Sequence, residues 1–141
     1  MLSQPDRKLL KAFSAQLHPQ SEAVAAKTCA CLFQHNPELK RLFAATTDNP
    51  QQKFVEFMTR YSEQIEDLTK LTPLLDQIAL KHVAAAVQPE YYSTVGHCFL
   101  EALQSIFGDA FDEKLFLAWQ KAYAALSQEL ITREKALRGQ I

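Results

Sequence analysis

Glycine is scarce, with three in 141 residues. Sheets turn on glycines that take up positive φ, and alternating apolar and polar runs are missing too, so a β-rich fold is excluded. Charge of one sign is also lacking. Fifteen Lys and Arg stand against sixteen Asp and Glu, with no basic cluster, which argues against nucleic acid held by its phosphates and against a polybasic membrane patch. No run approaches the roughly 18 apolar residues of a membrane span. The opening MLSQPDRKLL puts charges where a secretion signal has its apolar stretch, so a cytoplasmic protein is expected. Cysteine is limited to three residues. Cys29 and Cys31 are two apart on one expected helix and point to different faces, Cys98 stands alone, and no CxxC pair or Cys/His cluster with zinc-like spacing occurs. Reduced thiols buried as small apolar groups are the expectation.

What is present is apolar content of 48%, enough for one domain over residues 1–141 that buries about two-thirds of its unfolded surface. Prolines next to capping residues punctuate the chain: Ser3 before Pro5 and Asp6, Ser21 with Glu22, Asn36-Pro37-Glu38, Asn49-Pro50, Thr72-Pro73 and Gln88-Pro89-Glu90. Each pattern predicts a helix start. Gly108 ends a helix and Asp109 or Asp112 opens the last, which gives an all-α chain of about seven helices with a loop over residues 44–48.

Apolar spacing of 3.6 residues marks core faces: Phe54, Phe57, Met58, Tyr61, Ile65 and Leu68 on one helix, and Val95, Phe99, Ala102, Leu103 and Ile106 on another. In the last helix Phe116, Trp119, Tyr123, Leu126 and Leu130 share a side whose rows lead on to Glu134. Two residues break the pattern. His82 shares a face with Leu75, Ile78 and Ala79, where a core residue is due; histidine is a common metal and haem ligand, but a core imidazole satisfied by a hydrogen bond is the ordinary explanation of such spacing. Glu134 either frays into solvent among Arg133, Lys135 and Arg138 or turns inward, where it would need partners such as Tyr92 and His82. His18, His35 and His97 read as ordinary helix-end or core residues, and spacing argues against a zinc site built from the four histidines.

The blocks CLFQHNPELKRLF (31–43), QIEDL (64–68), IALKHVAA (78–85), PEYYSTVGHCFLEAL (89–103), LAWQKAYAAL (117–126) and ITREKAL (131–137) decide between these readings. In order and spacing they resemble a globin of the bacterial single-domain and flavohaemoglobin type. The resemblance implies a globin fold around haem b. It makes His82 the proximal iron ligand and Phe43 the aromatic packed on the porphyrin. Tyr92 and Glu134 become the pair that hydrogen-bonds the other nitrogen of His82. A carboxylate there strengthens the imidazole as a donor and favours ferric iron and oxygen activation over simple carriage. Trp119 and Tyr123 take packing roles.

The gas-binding side departs from the family pattern. Cys29 falls where the family has a tyrosine, Pro50 or Gln51 where it has a glutamine, and Phe54 where it has a leucine. The expected pocket is therefore apolar and crowded. Lys53, next to Phe54, falls at the pocket rim, where it is a solvated lysine, a partner for a haem propionate or, as neutral amine, a sixth iron ligand. Three functions stand open: reversible binding of oxygen, nitric oxide and carbon monoxide for transport or storage; nitric oxide dioxygenation; and a sensing or interaction module, haem-less or haem-based. For the second, the chain is expected to lack the flavin and nicotinamide domains of flavohaemoglobins and so to need a separate flavin reductase. A homodimer is left open as a further partnership.

Overall fold

Ser3 opens the first helix because its hydroxyl oxygen accepts from the Asp6 N–H at 3.2 Å while the Asp6 carboxylate accepts from the Ser3 N–H at 3.2 Å, a reciprocal cap with Pro5 in the first turn. The structure is a computed structural model that describes residues 2–41 and 49–139. Six α-helices occur among them: α1 (Gln4–Leu17), α2 (Ser21–His35), α3 (Pro50–Glu63), α4 (Thr72–Ala84), α5 (Tyr91–Phe107) and α6 (Glu113–Leu137). Further helical residues, 39–41, follow Asn36-Pro37-Glu38; the expected loop over residues 44–48 and Phe43 lie outside the described residues.

Local chemistry accounts for most of the boundaries. Asp112, not Asp109, opens α6, its carboxylate accepting from the Leu115 N–H at 2.9 Å, and Gly108 ends α5 at φ 56°. Asn49 precedes α3 in the left-handed region at φ 49°, which asparagine tolerates better than most residues. Ser21 begins α2 without capping it; its hydroxyl instead accepts from Gln52 Nε2 on α3. One stripe stops early. Asp67 caps a separate 3-10 turn after α3 ends, so Leu68 leaves the expected core face and is 36% exposed.

The helices pack so that α2 lies against α3 and α5, α1 against α3 and α6, and α4 against α6. Trp119 is fully buried between Phe99 and Phe13, edge-on to both at ring separations of 5.4 and 6.3 Å. The thiols differ from expectation. Cys31 on α2 and Cys98 on α5, 67 apart in sequence, are joined in a disulfide with Cα atoms 5.5 Å apart; only Cys29 is free. Spacing along one helix cannot reveal a partner that a second helix delivers.

Gly96 is a close approach of the α5 backbone to a side chain of α6. A methyl group there would sit 2.6 Å from Cδ2 of Tyr123 and nearer still to Cε2. In an open helix Ala is favoured over Gly by about 1 kcal/mol, but here the clash reverses the sign. Gly96→Ala should therefore lower stability by about 1–3 kcal/mol in chemical denaturation. The loss should largely vanish in a Tyr123→Leu background; equal losses in both backgrounds would show that the ring is not what Gly96 accommodates.

Candidate functional site

Three helices meet at one imidazole. On α4, Leu75 and Ala79 are buried and Ile78 half-buried on the face that His82 shares, so core packing sets the direction of the ring. Tyr92 stands in the first turn of α5. Glu134 continues the buried Leu126 and Leu130 rows of α6 and is itself 0% exposed. His82 Nδ1 lies 2.9 Å from the Tyr92 hydroxyl and 3.1 Å from Glu134 Oε2, and the Tyr92 hydroxyl donates to that same oxygen at 2.5 Å.

The proton count follows from these contacts. Tyr92 has a single hydroxyl proton, and it goes to Oε2. The contacts at Nδ1 then require Nδ1–H as donor, to the phenol oxygen and the carboxylate together. That tautomer leaves a lone pair on Nε2, the nitrogen a metal or a ligand donor would use. Burial, and then the hydrogen bond to Glu134 and its charge, push the Tyr92 phenol far above its ordinary pKa, so it remains a donor.

Neighbouring contacts hold the triangle. Tyr123 Oη donates to the Tyr92 carbonyl at 2.8 Å, Arg138 Nη2 donates to the Val87 carbonyl at 3.0 Å, and Arg133 pairs with Asp76 of α4 and, at 3.0 Å, with Glu129. These arginines flank Glu134 at positions −1 and +4, a signal the sequence carries but that reads there only as a charged helix end.

His82 lines a cavity of about 360 Å³ with contributions from α3, α4, α5 and α6, chiefly apolar ones such as Phe54, Phe57, Ile78, Val95 and Leu130. Lys53, exposed, lies at its mouth, and Pro50 and Tyr92 also line it. Glu134 stands behind His82, outside the wall. Among the described residues Cys29 and Gln51, both half-buried, are not in the wall; burial raises the Cys29 thiol pKa. Phe43 is outside the described residues. Tyr123, assigned a packing role from sequence, also lines the cavity.

Burial raises the phenol pKa of Tyr61, Tyr92 and Tyr123 alike. Their folded forms hold the proton more tightly than the unfolded chain, so their contribution is fully present below the unfolded value of about 10 and is lost as pH climbs above it. Stability should fall above pH ~10 by up to about 1.4 kcal/mol per pH unit for each phenol. Tyr92→Phe should remove about one proton from that slope, measured by urea denaturation across alkaline pH; an unchanged slope would mean Tyr92 titrates normally.

No helix among the described residues is long and apolar enough to cross a membrane. A family model described as Globin matches residues 26–130. The chain is 36% identical over 140 residues to a flavohemoprotein of Vibrio cholerae, covering 97% of this chain but 36% of that protein, so it spans about a third of that relative's length. It is 31% identical to an uncharacterized globin-like protein of Aquifex aeolicus, with 99% of each covered. Among solved structures it is similar, at TM-score 0.89 and 27% identity over 99% of this chain and 97% of the other, to a Rhodothermus marinus protein named for nitric oxide dioxygenase and engineered as a carbene transferase. With the family model covering most of its length and the helical packing in agreement, this chain belongs to the globin family.

Proposed function

We propose that the chain binds haem through His82 Nε2 and serves as a binding site for diatomic gases. The observation that carries this is the imidazole in the cavity wall whose other nitrogen is fixed by Glu134 and Tyr92. A mostly apolar cavity with one oriented imidazole lone pair and a lysine at its mouth suits a flat, largely apolar group with a central metal and an acidic edge. Haem of the b type, held without a covalent link, is such a group, and it supplies an iron that takes up oxygen, nitric oxide or carbon monoxide.

The protein's own part is orientation and charge. Glu134 accepts the Nδ1 proton and so raises electron density at Nε2, the device by which proteins strengthen histidine as a ligand. Tyr92 shares the same carboxylate oxygen and fixes the ring against rotation. Phe54 and Pro50 make the gas side apolar; proline has no N–H to offer a bound gas.

The strengthened imidazole also favours a second reading, nitric oxide dioxygenation with electrons from a flavin reductase, because donation to iron promotes oxygen activation. The name of the Rhodothermus marinus protein points the same way. Rapid catalytic loss of nitric oxide with a reductase and reduced nicotinamide present would support it over binding alone.

The purified chain, titrated with haemin, should take up one equivalent and show a Soret band whose ferrous form shifts with carbon monoxide. His82→Gly should lose that spectrum and regain it with added imidazole. Glu134→Gln should lower the iron–histidine stretching frequency and weaken haem retention about tenfold. No Soret band, or a His82→Gly spectrum identical to the parent, would overturn the reading.

A further inference from the structure

Away from the cavity, α2 and α5 lie side by side and each presents two potential metal donors one helical turn apart. On α2 these are Cys31 and His35; on α5 they are His97 and Glu101. Residues at i and i+4 share a helix face, so each pair points the same way. The two faces meet. His97 Nε2 lies 3.2 Å and Cys31 Sγ 3.4 Å from Glu101 Oε2. The donor atoms of Cys31, His35 and Glu101 all fall within 4.8 Å of one another, and the His35 and His97 rings are 6.3 Å apart. Tetrahedral zinc has bonds of about 2.0–2.3 Å, which sets its donors roughly 3.3–3.8 Å apart. His97 and Glu101 are 66% and 58% exposed, so rotamer changes alone can adjust them to that spacing.

We propose that Cys31, His35, His97 and Glu101 form a binding site for zinc or a zinc-like divalent cation, available when Cys31 is a thiol and closed when Cys31 is bonded to Cys98. The donor set of one thiolate, two imidazoles and one carboxylate is of the type zinc selects. Cys98 sits behind Cys31 and is 0% exposed, so one sulfur faces two partners in turn: the buried cysteine or the exposed cation. Opening the disulfide takes two electrons and two protons, supplied by a dithiol reductant that is itself oxidised to a disulfide, and yields two thiols. Zinc then displaces the Cys31 thiol proton. Disulfide and metal are alternative clasps of the same two helices. Spacing within one segment does not reveal this donor set, because two helices complete it, with His35 and His97 62 residues apart.

The test is zinc chloride titration of the purified chain against a colorimetric zinc chelator under inert gas, after dithiothreitol treatment and its removal. One equivalent should bind with micromolar or tighter affinity. The disulfide form, Cys31→Ser and His97→Ala should each bind at least tenfold more weakly. Cys98→Ala, which keeps Cys31 as a thiol, should bind one equivalent without prior reduction. Circular dichroism would confirm that each variant is folded. Absence of stoichiometric binding by both the reduced chain and Cys98→Ala would overturn the proposal. So would affinity within twofold of the parent in both Cys31→Ser and His97→Ala, since the metal would then lie elsewhere.

Discussion

A carboxylate in a core must be met by donors or it destabilises the fold by several kcal/mol, and Glu134 is completely buried. Its Oε2 is met by a phenol from α5 and an imidazole from α4. That requirement couples three helices at a point. Neither the tilt of α6 nor the register of α4 can change without stranding the carboxylate, so helix packing and the orientation of His82 are one constraint. Arg133 and Arg138, on either side of Glu134, extend it by tying α6 to Asp76 of α4 and to the Val87 carbonyl that follows α4.

Two of these helices, α5 and α6, also meet at Gly96. Gly96 lets the Tyr123 ring close onto α5, and from there the Tyr123 hydroxyl reaches the Tyr92 carbonyl. The backbone that carries the phenol is therefore held by a second phenol, and both are buried enough to resist ionisation. The His82 environment is set by packing at Gly96 as much as by its own hydrogen bonds.

Features carried by one segment were legible in the sequence. The Ser3–Asp6 cap, the proline-marked starts of α3 and α4, and the buried rows of α5 and α6 rest on interactions within a turn or two, and local chemistry decides them. Features that need two segments were not. The Glu134 row predicts a side but not whether the helix end is covered; the Cys31–Cys98 bond joins residues 67 apart; Leu68 leaves its stripe because Asp67 starts a new turn. Counting along the chain offered Pro50 or Gln51, Phe54 and Cys29 for the gas side, and the cavity wall takes Pro50 and Phe54 but neither Gln51 nor Cys29 among the described residues. A wall is defined by what stands opposite, and no single helix contains that.

The start and the middle of α5 bear different kinds of constraint. At its start, Tyr92 belongs to a buried network with little freedom. Along its middle, Cys98 is buried while His97 and Glu101, its neighbours at −1 and +3, are exposed. Val95, which lines the cavity, also packs against the small apolar cluster of Leu32 on α2, Cys98 on α5 and Leu39. A change of clasp between these helices therefore acts next to the cavity through Val95, and Tyr92 is the one member of the Glu134 network carried by either helix. On the proposed reading, imidazole donation is fixed where α4, α5 and α6 meet at Glu134, whereas Val95 is the point at which the clasp between α2 and α5 reaches the cavity wall.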